Sequence, residues 1–165
     1  MARGLRYRIP QFRRALGARP SAAQLSEAQA LLNPAQWRLY AALSSRDQWH
    51  SSETLRLLGA RAQADHDLAR AALLHDVGKG QIRLPDRVLF VLLSRMPWLL
   101  RRLARPRGPH WRTALHRSAT HAAVGAELAL AAGCSERVAD LIRRHHAARP
   151  TDAALAALIA ADESA

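Results

Sequence analysis

The sequence predicts an all-α protein, built as a single bundle of six to eight helices. Its 165 residues are rich in alanine, leucine and arginine, which enter a helix with little loss of conformational freedom. Apolar residues recur at helical spacing between proline and glycine breaks, and no stretch alternates apolar and polar residues for long, as a half-buried strand does. With 49% apolar residues at this length, we expect one domain with a sizeable core.

The first segment is a basic arm over residues 1–20, with six arginines and no acidic residue. Pro10 and Pro20 would interrupt any long helix in it. We expect a flexible segment that either stays solvated or contacts RNA or anionic lipid. No apolar segment of the signal-peptide type follows the basic N terminus. The helical domain is expected to span residues 21–165.

Four helices are predicted in the first half of this domain. Their first residues or N-caps, recognised from capping residues and proline, are Ser21, Pro34, Ser45 and Asp65. Gly59 is expected to end the third helix. The fourth helix has almost no polar face, which is typical of a helix buried on all sides, and is expected to end at Gly78.

Residues 85–110 are predicted to form two short helices divided at Pro97. An apolar run is followed there by several arginines, an order that resembles a helix lying on a membrane surface. A helical lid that covers the core is the alternative interpretation. Three more helices are predicted beyond this segment, near residues 119–132, from Ser135 to His146, and after Pro150. No apolar run approaches the ~20 residues that cross a bilayer.

The formal net charge of +12 favours anionic partners such as phosphates, nucleic acid or acidic lipid. A general preference for arginine in this sequence would explain much of the excess equally well. Cys134 is the only cysteine, so no intrachain disulfide can form, which fits a reducing cytosol. We therefore expect a cytoplasmic protein and leave peripheral attachment to a membrane open.

Histidine and aspartate mark the candidate site, because several lie on segments otherwise built from alanine and leucine. They are His50, His75, Asp76, His121, His145, His146 and Asp162. Taken singly, each has a structural explanation, such as the contact of His146 with a helix dipole. Taken together, buried imidazoles and carboxylates without partners would destabilise the fold by several kcal/mol, a penalty that a divalent cation removes. Nitrogen and oxygen ligands without thiolates favour Mn, Fe, Co, Ni or Zn, with Mg also an option.

The order of these residues resembles the HD-domain metal-dependent phosphohydrolase superfamily. The pattern of that superfamily is a first histidine, a His-Asp pair and a distant aspartate, which here are His50, His75-Asp76 and Asp162. The stretch from His75 to Lys79, His-Asp-Val-Gly-Lys, is similar to the HD-x-G-K form of the family. The resemblance covers residues 34–165 and implies an HD-like bundle with a metal site between helix ends.

Further histidines resemble the additional ligands of binuclear phosphodiesterases in this superfamily. The resemblance implies that a first metal ion is held by His50, His75, Asp76 and Asp162. It implies a second ion held by His121, His145 and His146, with Asp76 bridging the two. Lys79, the only lysine of the chain, would bind substrate phosphate and act with Asp76 in catalysis. No Gly-Tyr-Pro motif follows the His-His pair, and no acidic pair follows the His-Asp pair as in (p)ppGpp hydrolases.

The activity that the resemblance implies is hydrolysis of a phosphomonoester or phosphodiester by metal-activated hydroxide, with one or two divalent ions. The expected substrate is a nucleotide or a related small phosphorylated compound. A second class of function stays open, namely a non-catalytic helical module that a metal stabilises and that binds nucleic acid or an anionic membrane. A bundle without metal, whose histidines are satisfied by hydrogen bonds, is the third interpretation.

Overall fold

The structure, a computed structural model, describes residues 18–165, and residues 1–17 of the predicted basic arm lie outside the described residues. The described part is all-helical, which confirms the predicted fold class. In chain order its α-helices are α1 (Ala22–Leu31), α2 (Pro34–Ala41), α3 (Ser45–Leu58), α4 (Ala60–Ala64), α5 (His66–Leu74), α6 (Leu84–Leu93), α7 (Pro97–Leu103), α8 (His110–Ala131), α9 (Glu136–Arg144) and α10 (Ala153–Ser164). One 3-10 turn, Val77–Lys79, lies between α5 and α6.

Within residues 18–165 there are thus ten α-helices, more than the six to eight predicted for the bundle, and the one that the sequence did not indicate is the short α4. Gly59, at φ 53°, separates α3 from the five-residue α4. Pro97 lies in the first turn of α7, at the predicted break between two short helices.

Two helix starts differ from the sequence prediction. α8 begins at His110 instead of near residue 119 and runs for 22 residues. Its early turns belong to the core, because Ala114 and Leu115 are completely buried. Ser44 rather than Ser45 caps α3, and its hydroxyl accepts a hydrogen bond of 3.2 Å from the backbone N–H of Asp47.

Helix α5 forms the centre of the bundle, with α3, α9 and α10 packed around it. From Leu68 onwards its apolar side chains are buried, as the sequence predicted, and Leu73 and Leu74 are completely inaccessible to solvent. The helix ends at Leu74, four residues before the predicted Gly78. The two residues that follow, His75 and Asp76, therefore emerge in the middle of the protein rather than at its surface.

Gly78 allows the 3-10 turn to lie directly against α8. A Cβ atom at this position would be 2.1 Å from the carbonyl oxygen of His121 and 2.7 Å from the backbone nitrogen of Gly125. The sequence predicted a turning role for Gly78, but its φ is not in the left-handed region. That conformation belongs to Gly80, at φ 58°, where the chain leaves the turn.

We expect Gly78→Ala to lower the free energy of unfolding by about 3 kcal/mol or more, because neither backbone segment it would meet can move without disturbing the core. Gly125→Ala is the matched control. Its new methyl would meet the nearest atoms at 3.3–3.5 Å, and the alanine would favour the helix by about 1 kcal/mol. Urea unfolding of both variants measures the difference, and equal losses would contradict the close-approach role of Gly78.

Candidate functional site

All seven predicted metal ligands meet in the interior of the bundle. His50 lies in α3, His75 and Asp76 follow α5, His121 lies in the middle of α8, His145 and His146 follow α9, and Asp162 lies in the last turn of α10. Residues separated by up to 112 positions thereby come within hydrogen-bond distance. The predicted convergence of these side chains on one point is present in the described structure.

The first group of side chains surrounds His75. The Nε2 atom of His50 lies 2.8 Å from Asp162 Oδ1, and the Nε2 atom of His75 lies 3.3 Å from the same oxygen. Asp76 Oδ2 is 3.6 Å from His75 Nε2. Donor atoms of His50, His75 and Asp76 lie within 4.8 Å of one another, close enough for a single ion.

The second group consists of His121, His145 and His146, and it adjoins the first through Asp76. The Nε2 atom of His121 lies 3.3 Å from that of His145 and 3.1 Å from that of His146. Asp76 Oδ1 is 3.4 Å from His121 Nε2. Because its other oxygen faces His75, Asp76 lies between the two groups.

Backbone carbonyls fix the orientation of three imidazole rings. The Nδ1 atoms of His75, His121 and His145 donate to carbonyl oxygens three residues earlier, over 2.9, 2.8 and 2.6 Å. A carbonyl oxygen only accepts, so Nδ1 must carry a proton and Nε2 is the position where a further proton or a metal ion can bind. An Nδ1–H bonded to a backbone carbonyl is the usual support of a metal-ligating histidine.

The facing Nε2 atoms fit a metal ion better than they fit one another. When both rings are neutral with a proton on Nδ1, the Nε2 lone pairs of His121 and His145 face each other. The two Nε2 atoms are 3.3 Å apart with no hydrogen between them. His75 Nε2 and Asp76 Oδ1 are buried and make no hydrogen bond with any residue of the described range 18–165. Buried polar atoms of this kind normally have partners, and a cation between them would satisfy both groups.

Burial and charge act in opposite directions on the first group. Burial disfavours the charged form of His75, but the carboxylates of Asp76 and Asp162 outweigh it and raise the pKa of His75 to about 9. Burial raises the pKa of Asp76, whereas Lys79 and then His75 hold it well below its usual range. In the metal-free state a proton on His75 thus supplies positive charge to the carboxylates, and a bound cation would displace it.

Two histidines of the second group, His145 and His146, are kept neutral instead. Burial, followed by the charges of His75 and His146, lowers the pKa of His145 to about 3. Burial of its inner side and the neighbouring His121 lower the pKa of His146 to about 4, although part of the His146 side chain is exposed. Neutral imidazole is the form that binds a metal ion.

Lys79 is the last residue of the 3-10 turn, and its ammonium lies 2.5 Å from Asp76 Oδ2. The resemblance implied that Lys79 would contact the phosphate of a substrate from the rim of the pocket. The side chain is 23% exposed, so it is near solvent as expected, but it forms an ion pair with the candidate bridging carboxylate.

Asp162 is held in place by the packing of its helix. Leu155 and Leu158 of α10 are completely buried, and Ala161 is nearly so. Helix α10 packs against α3, which carries His50. Burial raises the pKa of Asp162, but the neighbouring His75 and His50 lower it well below the usual range of a carboxyl group.

Two contacts near the site were not predicted from the sequence. Arg117 precedes His121 by one helical turn, and its Nη2 donates to the carbonyl of Gln81 over 3.1 Å, beside the turn that carries Lys79. Its position one turn before a predicted ligand is the signal that could have identified it. Asp47, buried near His50, receives both terminal nitrogens of the Arg87 guanidinium, and no sequence pattern indicates this long-range pair.

Three histidines, none of them a candidate ligand in the sequence, lie outside the cluster. His66 is exposed in the first turn of α5 and His116 is half-buried on α8. His110, at the start of α8, is largely exposed, and its Nδ1 lies 3.2 Å from the buried Asp86.

Residues 49–163 match the HD domain family, a range of more than two thirds of the chain that holds every predicted ligand. No curated protein and no solved structure matches the chain. Among residues 18–165, no helix has the length and apolar character that crossing a membrane requires.

We expect the metal-free protein to be most stable near pH 6.5. His145 and His146 titrate at about 3 and 4 when folded, against 6.5 when unfolded, so the unfolded chain binds more protons below pH 6.5 and stability falls with acidification. His75 titrates at about 9 when folded, so its stabilisation is complete below pH 6.5 and is lost as the pH rises to 9.

Thermal unfolding against pH, in the presence of a chelator, measures this dependence. His145→Gln should flatten the acidic limb between pH 6.5 and 4, while His66→Gln, whose exposed ring is in water in both states, should not. An acidic limb unaffected by His145→Gln would contradict the assignment.

Proposed function

The chain belongs to the HD domain family, and we propose that it hydrolyses a phosphomonoester or phosphodiester bond in a nucleotide or related small phosphorylated compound, using bound divalent metal ions. The family belongs to a superfamily of metal-dependent phosphohydrolases. The observation that carries the proposal is the meeting of five imidazoles and two carboxylates around buried atoms that lack partners.

The ligands divide between two ions in this proposal. The first ion would be held by His50, His75, Asp76 and Asp162. The second would be held by His121, His145 and His146, with Asp76 shared between both. In support, the two oxygens of Asp76 face different groups, one towards His75 at 3.6 Å and the other towards His121 at 3.4 Å. The donor set of nitrogen and oxygen without thiolate favours Mn, Fe, Co, Ni or Zn, and admits Mg.

A divalent ion bound here would acidify a coordinated water and thereby supply hydroxide near neutral pH. The side chains of the protein provide the rest. Asp76, anchored just after the buried α5, fixes the relative position of the two ligand groups. The carbonyl-bound rings of His75, His121 and His145 keep their Nε2 atoms aimed inward, so little reorganisation is needed during the reaction.

Lys79 and Arg117 would bind the phosphate of the substrate. A cation at Asp76 would weaken the hold of this carboxylate on the ammonium of Lys79, which could then turn to an anionic substrate. Arg117 lies next to the same turn, where a Cβ added to Gly80 would be 3.5 Å from its Nη1. Both cations thus flank the backbone at residues 79–81, and both would offset charge on the phosphoryl oxygens.

We expect the purified protein to contain two transition-metal ions per chain. The His121→Ala variant should contain one, because His121 is a ligand in the second group and not in the first. Activity on an aryl phosphate diester and on a nucleotide panel, tested with Mn, Fe, Co, Ni and Mg, should fall by about 100-fold or more in the variant. Elemental analysis and initial rates measure both quantities.

His66→Ala is the matched control and should keep both ions and full activity. Protein without bound metal would contradict the proposal. Full metal content without turnover of any substrate would support the non-catalytic module instead.

We expect Lys79→Met and Arg117→Gln each to lower kcat/KM by about 10–100-fold, the usual effect of losing a charge-assisted hydrogen bond to phosphate. Metal content should stay unchanged in Arg117→Gln. Arg143→Gln is the control, because Arg143 is exposed on α9 and pairs with Glu127. Equal kinetics for Arg117→Gln and Arg143→Gln would remove Arg117 from the substrate site.

A further inference from the structure

Helices α6 and α7 present an apolar surface to solvent. Its members, called here the apolar hairpin surface, are exposed by 41–62% of their area, and they are Leu84, Val88, Val91, Leu92, Met96 and Trp98. The first four have the spacing of one helix face. The opposite side of α6 faces the protein, where Asp86 and Leu93 are buried. Within residues 18–165, helix α6 therefore contacts the protein on one side and leaves its opposite, apolar side exposed.

The chain segment that carries this surface is rich in arginine. Between Asp86 and Glu127 it has eight arginines and no acidic residue. Five of these arginines follow the apolar residues closely and are exposed, namely Arg95, Arg101, Arg102, Arg105 and Arg107. An exposed apolar patch with a basic border indicates an interaction site for an anionic partner that also has an apolar interior.

We propose that the apolar hairpin surface docks on an anionic lipid membrane. The aliphatic side chains would enter the region between headgroups and acyl chains, Trp98 would lie at the interface, and the arginines would contact lipid phosphates. The helices would lie along the membrane, because α6 and α7 have 10 and 7 residues and are too short to cross it.

Other occupants fit the charge or the side chains less well. Residues 1–17 carry five arginines and no acidic residue, so covering the surface with them would bring like charges together. A second copy of the chain would do the same. Nucleic acid would satisfy the arginines but leave Leu84, Val88, Val91 and Leu92 in water, because aliphatic side chains have no partner on a phosphate backbone.

Helices α6 and α7, together called the hairpin, are fixed to the rest of the protein, as a surface that docks on a membrane must be. Arg87 of α6 forms a paired hydrogen bond with the buried Asp47 of α3. Asp86, also on α6, contacts His110 at the start of α8. Helices α6 and α7 both pack against α8. The exposed face therefore has a defined orientation before any membrane is met.

Sedimentation of the full chain with phosphatidylcholine vesicles, with or without phosphatidylserine, tests the proposal. Binding should require phosphatidylserine and weaken as salt is raised. Leu92→Asp should weaken it more than about tenfold, because a charge would enter the acyl region. The matched control is Leu128→Asp, which places the same charge at an exposed position on α8 and should bind as the wild type does. Arg101→Gln should weaken binding by about fivefold.

Thermal unfolding of each variant establishes that it is folded. Brominated lipid should quench tryptophan fluorescence if the surface inserts, and this quenching should be lost in Trp98→Phe. Four results would overturn the proposal. They are equal binding to vesicles without phosphatidylserine, wild-type binding by Leu92→Asp, salt-sensitive binding of RNA without binding of vesicles, and a dimer in solution that Leu92→Asp dissociates.

Discussion

The structure depends on a carboxylate that has to be charged in the middle of an apolar bundle. Asp76 is almost completely buried, at 1% exposure, and burial alone would favour its neutral form. Three positive or polarisable partners surround it instead, the Lys79 ammonium at 2.5 Å and the Nε2 atoms of His75 and His121 at 3.6 and 3.4 Å. An isolated charge in such a place would be strongly destabilising, so the neighbouring helices have to bring their imidazoles to this point.

This requirement explains the close packing of backbone around the site. The 3-10 turn that carries Lys79 has to touch α8 if Asp76 is to reach His121, and only a glycine at position 78 leaves room for the contact. Gly125, one turn after His121, lies on the α8 side of the same contact, because a Cβ atom there would face the backbone of His75 and Gly78. The close approach at Gly78, a glycine without a special torsion angle, therefore sets the distance between the two ligand groups.

The all-helical fold and the set of converging side chains could be predicted, because both depend on local pattern. Capping residues, apolar spacing and the order of histidines and aspartates can all be recognised in short stretches of sequence. The predicted start of α8 near residue 119 was wrong, because no capping side chain marks its true start at His110, and burial of Ala114 and Leu115 extends the helix back to that residue. Local propensity is often overridden by such tertiary packing.

The two arginine contacts near the site that escaped prediction join residues far apart in the sequence. Nothing in the neighbourhood of Asp47 indicates that Arg87, 40 positions later, will meet it. Similarly, the placement of Arg117 beside residues 80 and 81 follows from the way α8 crosses the 3-10 turn. These two arginines join different parts of the molecule. Arg117 links α8 to the chain that leaves the site, and Arg87 links the hairpin to the helix of His50.

The segment between Lys79 and α6 is only four residues long and is held by Ile82, which is 8% exposed. A membrane bound to the hairpin would therefore take a fixed orientation relative to the metal ligands, so the position of the site over the lipid would be set by the fold.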